Sequence, residues 1–106
     1  EMLEANFLSF QHFAEGLRRQ KVKLIVVEGT VHPRARDAYD TDGLQQATRE
    51  RLMAMAKKHE FEYFDSGQMP SFKEDDFKDA VHLNDQGRKK LTAFLADKLA
   101  KMTAIN

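Results

Sequence analysis

The chain has 106 residues, and its 17 basic and 17 acidic side chains give a formal net charge of zero. This length supplies one domain or part of one, and the balanced charge gives no general attraction to nucleic acid or to an anionic membrane surface. Cysteine is absent, which excludes disulfides, thiolate zinc sites and cysteine nucleophiles. No apolar run approaches the roughly 20 residues that a membrane-spanning helix needs.

The first two elements are predicted from their apolar patterns. Residues 3–20 place apolar side chains three and four apart, which predicts an amphipathic helix. The basic cluster at its end contains no aromatic residue, so we interpret it as a solvated helix terminus rather than a nucleic-acid site. Residues 22–27 predict a strand, because residues 24–27 within them form an unbroken apolar run, largely β-branched, which is typical of a strand buried on both faces.

Further along the chain, a loop is predicted to about residue 42 and a helix over 43–59. Its inner face would carry Leu44, Thr48, Leu52, Met55 and His59. Thr41 or Asp42 is the expected N-cap. The aromatic run 61–65 predicts a second short strand, and 66–78 a loop. A last helix is predicted over 85–102, with Asn84 as its N-cap. Its apolar stripe would consist of Leu91, Phe94, Leu95, Leu99 and Met102.

The order helix-strand-helix-strand-helix predicts an α/β fold with a parallel sheet. Two parallel strands are a poor sheet by themselves, so further strands are expected either outside this chain or from another subunit. We favour the first alternative, in which residues 1–106 form a single segment of a larger domain. The chain begins with Glu rather than Met, which fits a fragment or a processed product.

In an open parallel sheet, functional groups collect on the loops that follow the carboxyl ends of the strands. The loop after the first strand carries Glu28, Thr30 and His32. The segment after the second carries Asp65, Ser66, Asp79 and His82. Both loops leave the same edge of the predicted sheet, so we expect these side chains to share one cleft.

The spacing Asp79-x-x-His82 is the most specific of these patterns. A carboxylate three residues before a histidine can accept a hydrogen bond from Nδ1–H, which leaves Nε2 free to take a proton. The alternative is structural: a turn carboxylate and a histidine at a helix entry that make only local hydrogen bonds. Asn84 is interpreted as a helix cap in either case.

The run Asp79-Ala-Val-His82-Leu-Asn84-Asp-Gln-Gly87, followed by an amphipathic helix, resembles the last motif of the SGNH (GDSL-type) hydrolase superfamily. The segment Val31-His32-Pro33 and the residues around Phe77 are similar to the branch that includes DltD-like and alginate-acetylation proteins. The resemblance implies that this chain is the C-terminal part of a flavodoxin-like, three-layer α/β/α fold. It also implies a bacterial extracytoplasmic location and no cofactor.

By this resemblance His82 is the catalytic base and Asp79 the carboxylate that orients it. The substrates would be acyl esters or acylated carbohydrates. The family's Gly-Asp-Ser-like block and its Gly-x-Asn block have no counterpart here, and Ser9, Ser66 and Ser71 are the only serines. We therefore expect the nucleophile and the oxyanion hole to lie upstream, and residues 1–106 alone to lack esterase activity.

Two further alternatives concern individual residues, and a third concerns the whole chain. His32 is a candidate substrate contact, or else an exposed residue before a proline. A metal shell could combine His32, His82, Asp65 and Asp79, although no His-x-His or His-x-x-x-His spacing supports it. The chain could instead be a non-catalytic module that completes its sheet through an exposed edge, by self-association or with a partner.

Overall fold

The computed structural model describes residues 2–39 and 43–105, and its element order agrees with the predicted one. The helices are α1 (Met2–Arg19), a short α2 (Arg36–Tyr39), α3 (Leu44–His59) and α4 (Asp85–Ile105), and the strands are β1 (Ile25–Val27) and β2 (Glu62–Phe64). A single turn of 3₁₀ helix, Glu74–Asp76, lies between β2 and α4. In the described residues no helix has both the length and the apolar character needed to cross a membrane.

The two strands pair in parallel, as predicted, with Val27 opposite Phe64 at their carboxyl ends. The chain is therefore an α/β protein with a small parallel sheet, and both strands deliver the chain to the same edge. The described residues divide into two compact units. One comprises residues 2–27 and 43–64, and the other residues 28–39 and 65–105.

The first unit has its core between α1, α3 and the sheet. Phe7 and Ala14 come from the predicted inner face of α1, and Met55 from that of α3. The ring of Phe61 packs edge-on against Phe10, with centroids 5.6 Å apart. The spacing of apolar residues thus predicted correctly which faces of these two helices are buried.

The prediction of a doubly buried strand over 22–27 was wrong in two respects. The strand begins only at Ile25, because Lys21 adopts a left-handed conformation (φ 60°) and residues 20–22 hydrogen bond back to the last turn of α1. Its side chains are half-buried rather than fully buried. In the described residues the sheet has only two strands, so β1 is paired on a single edge.

The start of α3 and the loops differ in detail from the predictions. The residue before α3 is Gly43, in a left-handed conformation (φ 67°) with no side-chain cap, and the predicted caps Thr41 and Asp42 lie outside the described residues. The loop predicted up to residue 42 contains the short helix α2. Helix α4 continues to Ile105, past the predicted end at Met102.

The second unit contains α4 and the segments that hold the candidate site. Helix α4 packs against the 3₁₀ turn. The buried residues among those described in this unit are Asp76, Phe77, Leu83 and Gly87. The apolar stripe predicted for α4 is only partly covered, since Leu91 and Leu95 are half-buried and Leu99 is exposed. The best-packed part of this unit is therefore the start of α4, next to the Asp79–His82 segment.

Candidate active site

Asp79 and His82 lie in a small hairpin formed by residues 77–83, which we call the 77–83 hairpin. Phe77 and Leu83, both buried, form an antiparallel bridge at its base. The backbone N–H of Lys78 donates to the carbonyl of His82 (2.9 Å). These contacts hold the backbone on either side of the Asp79–His82 turn, so the turn projects from a fixed base.

The Asp79 carboxylate accepts several hydrogen bonds from within this turn. Its Oδ1 accepts from the backbone N–H of Val81 (3.0 Å) and of His82 (2.7 Å). Nδ1 of the His82 ring lies 2.9 Å from Oδ1 and 2.8 Å from Oδ2 of the same carboxylate. The three-residue spacing thus folds into a turn that brings the two side chains into direct contact.

This contact determines where the proton of the imidazole lies. An ionised carboxylate only accepts hydrogen bonds, so Nδ1 of His82 must be the donor. In the neutral ring Nε2 then carries a lone pair, and no residue in the described part of the chain hydrogen bonds to it. The His82 and Asp79 side chains are 66% and 51% exposed, so Nε2 can be reached by another molecule.

The backbone also keeps Asp79 ionised. The N–H groups of Val81 and His82, followed by the His82 ring, lower the pKa of Asp79 to about 2. Near neutral pH the carboxylate is therefore an anion, which both fixes the tautomer of His82 and stabilises a positive charge on its ring. This is the electrostatic arrangement that a general base needs.

The loop after β1 contacts the Asp79–His82 turn within the second unit. The Thr30 hydroxyl donates to the carbonyl of Val81 (3.0 Å), and the backbone N–H of His32 donates to the carbonyl of Ala80 (2.7 Å). The His32 ring packs against Phe77, with centroids 5.4 Å apart. Of the predicted candidates in the first loop, Thr30 and His32 thus lie beside the Asp79–His82 turn.

His32 has the opposite tautomer to His82 when its ring is neutral. Its Nδ1 accepts a hydrogen bond from the backbone N–H of Arg34 (3.1 Å), so Nε2 carries the hydrogen. His32 therefore offers a donor at Nε2, whereas His82 offers an acceptor. That pair of functions is compatible with the predicted substrate contact, which stays a prediction.

The carboxylates of the remaining candidates accept hydrogen bonds from backbone N–H groups of the loop after β2. The Asp65 carboxylate accepts from the backbone N–H of Gly67 (2.8 Å) and of Gln68 (3.2 Å), and the Glu28 carboxylate accepts from the backbone N–H of Ser66 (3.1 Å). Within residues 2–39 and 43–105, no group of three or more His, Asp or Glu side chains is placed to hold a metal ion. The four-residue metal shell considered from the sequence does not form.

Asn84 caps α4 as predicted, because its Oδ1 accepts from the backbone N–H of Gly87 (3.0 Å).

The sequence did not predict a structural role for Asp76. It is completely buried and accepts hydrogen bonds from Lys90 (2.6 Å) and Gln86 (2.8 Å), both on α4. Gln86 and Lys90 lie 10 and 14 positions after Asp76, and no sequence motif links residues at those distances. The contacts of Asp76 could therefore not be predicted from spacing.

The site is open to solvent and is not enclosed by this unit. A shallow groove on the same unit is lined by Pro33, Arg36 and residues 71–75, and neither Asp79 nor His82 lines it. Neither Ser66 nor Ser71, the serines of this unit, hydrogen bonds to His82. The described residues of this unit therefore present a base and its orienting carboxylate without an adjoining serine.

No protein-family model, no curated protein and no solved structure matches this chain. The resemblance to SGNH hydrolases therefore depends on the residues of the 79–87 motif. The functional argument depends on the geometry of Asp79 and His82.

The two low pKa values in this unit predict a loss of stability in acid. Contacts with Lys90, the Lys73 backbone N–H and Gln86 lower the pKa of Asp76 to about 2, as the turn does for Asp79. A lowered pKa stabilises the fold above the ordinary value of 3.8, and this stabilisation is lost as pH falls towards 2. The thermal midpoint, followed by circular dichroism, should fall between about pH 4 and 2, and Asp76→Asn should flatten that fall. Parallel curves for the two proteins would contradict this assignment.

Proposed function

We propose that this chain supplies the base and its orienting carboxylate to a serine-dependent ester hydrolase or O-acyltransferase. The observation that carries the proposal is the contact of the Asp79 carboxylate with Nδ1 of His82 at 2.8–2.9 Å, with Nε2 exposed and unpartnered in the described residues. The substrate class is an acyl ester, including esters on carbohydrates. The resemblance of residues 79–87 to the last SGNH motif supports the choice of acyl transfer among base-catalysed reactions.

His82 first accepts and then returns a proton in each half of the proposed reaction. Nε2 accepts the proton of a serine hydroxyl as its oxygen attacks the ester carbonyl, and the protonated ring then returns that proton to the departing alcohol. A second attack, by water or by an acceptor hydroxyl, releases the acyl group by the same proton transfers in turn. Asp79 remains ionised throughout, because its pKa of about 2 lies far below neutrality, and it stabilises the imidazolium.

The nucleophile and the oxyanion hole are assigned to another part of the parent protein. Both must converge on Nε2 of His82, which is the free atom of the ring in the described residues. The parallel sheet is compatible with the last part of a flavodoxin-like fold in which β1 gains a neighbour on its second edge. In that arrangement the added segments also surround His82 and exclude water from it.

The proposal is tested by ester hydrolysis in two preparations. The whole protein in which this chain occurs should hydrolyse an aryl acetate above the uncatalysed rate, and residues 1–106 alone should not. Serine-dependent turnover by the isolated chain, removed by replacing Ser9, Ser66 or Ser71 with alanine, would overturn the placement of the nucleophile. Absence of turnover by the whole protein on a panel of acyl esters would overturn the activity.

A second candidate function is a non-catalytic module that completes its sheet with a partner or a second copy. It is favoured by the single paired edge of β1 and by exposed apolar side chains in the same unit, namely Leu8, Phe13, Val22 and Met53. Sedimentation of residues 1–106 separates the two cases. Defined dimers would support this module, and soluble aggregates would support a fragment that lacks its neighbouring strands. A stable monomer with native near-ultraviolet dichroism would contradict the need for further strands in both cases.

A further inference from the structure

Asp76 is the most deeply buried side chain in the described residues, and its carboxylate accepts hydrogen bonds from residues of the second unit. Its exposed fraction is 0%. Oδ2 accepts from the backbone N–H of Lys73 (2.8 Å) and from Nζ of Lys90 (2.6 Å), and Oδ1 accepts from Nε2 of Gln86 (2.8 Å). This side chain thus joins the 3₁₀ turn to the first two turns of α4.

The backbone of the same residue begins the hairpin that carries Asp79 and His82. The carbonyl of Asp76 accepts from the backbone N–H of Asn84 (2.8 Å), the Phe77–Leu83 bridge follows, and then the Lys78–His82 hydrogen bond. Asn84 also donates from its side chain to the carbonyl of Asp75 (2.6 Å). Three paired backbone positions therefore connect the Asp79–His82 turn to Asp76, whose side chain is bonded to α4.

From this arrangement we propose that Asp76 is a positioning residue for the Asp79–His82 pair. Its carboxylate locks the base of the 77–83 hairpin to α4, and so sets the angle at which Nε2 of His82 meets its substrate. The effect on catalysis rests on the proposed function. The contacts that position the hairpin involve only residues of this chain. A catalytic base must be held within a few tenths of an ångström of its working position, which requires such support.

The hydrogen bonds require a carboxylate at this position. Both oxygens face donors, and one of those donors is the cationic Nζ of Lys90. The amide introduced by Asp76→Asn has the same shape, but its NH₂ group would face either Gln86 or the Lys73 and Lys90 donors. With the NH₂ group towards Lys73 and Lys90, a donor would face two donors. With the NH₂ group towards Gln86, the Gln86 amide can turn to accept, but Lys90 then faces an uncharged oxygen. The contact with Lys90 weakens in both cases, so the hairpin should loosen while the apolar packing of Phe77 and Leu83 is kept.

The test uses Asp76→Asn in the whole protein, with Asp97→Asn as the matched control. Asp97 is an exposed carboxylate on α4 that pairs with Lys101 (3.2 Å), so the control makes the same change in charge on the same helix. Asp76→Asn should lower kcat by roughly 10- to 100-fold with little change in KM, because a misplaced base slows the chemical step. Asp97→Asn should leave both constants within about twofold.

A second readout is independent of activity. In ¹H–¹⁵N spectra, the His82 ring of the wild type should show a protonated, hydrogen-bonded Nδ1 and a bare Nε2, and the backbone amides of His82 and Asn84 should exchange slowly. Asp76→Asn should mix the tautomers and speed exchange at both amides by at least tenfold, with Asp97→Asn unchanged. If these signals change but no ester is hydrolysed by the wild type, the positioning role holds and the proposed function fails.

Unchanged ring signals and unchanged exchange in a folded Asp76→Asn protein would overturn the positioning role, whatever its activity. Should that variant not fold, Lys90→Met takes its place. It removes one of the three hydrogen bonds to the Asp76 carboxylate and leaves those from Gln86 and from the Lys73 backbone N–H. It should give the same changes to a smaller extent. Wild-type ring signals in Lys90→Met together with wild-type kcat would equally refute the proposal.

Discussion

Replacing His82 by glutamine in the whole protein is expected to lower kcat for ester hydrolysis by roughly 10³- to 10⁴-fold, with KM little changed. Glutamine keeps a polar side chain of similar reach but cannot take and return a proton near neutral pH. The loss therefore falls on the chemical step rather than on binding. Steady-state kinetics with an aryl acetate measure the effect.

Asp79→Asn is the companion variant. The amide cannot act as an anion towards Nδ1, and it can also donate a hydrogen bond, which favours the wrong tautomer of His82. The expected loss in kcat is roughly 10²- to 10⁴-fold. His12→Gln, at an exposed position on α1, is the matched control and should behave as the wild type. Activity of His82→Gln or Asp79→Asn within a few-fold of the wild type would show that the pair is structural.

Gly87→Ala is expected to destabilise the protein by about 1–3 kcal/mol. A β-carbon at this position would overlap the carbonyl oxygen of Asp76 and would lie 2.9 and 3.0 Å from two side-chain carbons of Leu83. The carbonyl is backbone and belongs to the base of the hairpin, so it cannot turn away as a flexible side chain would. In a domain of this size the thermal midpoint should fall by at least about 4 °C.

The matched control is Gly16→Ala. Gly16 lies inside α1, and a β-carbon there would meet nothing within 4 Å. Because alanine favours the helix over glycine, this variant should be more stable by up to about 1 kcal/mol. Thermal unfolding followed by circular dichroism distinguishes the two variants by sign. Equal effects at the two glycines would show that α4 and the 77–83 hairpin do not approach each other as closely as described.

Much of the fold could be predicted from local patterns. The three long helices, the two strands and their parallel pairing follow from apolar periodicity and from the alternation of elements, and Asn84 was recognised as a cap by its residue type. The length of β1 could not be predicted in this way. Lys21 occupies a left-handed position that usually favours glycine, so nothing in the sequence marked the end of the turn after α1.

The candidate site was predictable where its contacts are local. The contact of Asp79 with His82 follows from a three-residue spacing in a turn. The contacts of Thr30 with Val81 and of Asp76 with Lys90 join residues 51 and 14 positions apart. They depend on how the loops and α4 pack in three dimensions, and no local pattern encodes that packing.

In the proposed reaction His82 activates a serine that lies outside residues 1–106. A fluorophosphonate reacts with activated serine hydroxyls, so labelling the whole protein and mapping the adduct by mass spectrometry would identify that serine. We expect one modified serine, outside this chain, and a labelling rate that falls by roughly 10³-fold in His82→Gln. Modification of Ser9, Ser66 or Ser71, or labelling that does not depend on His82, would contradict it.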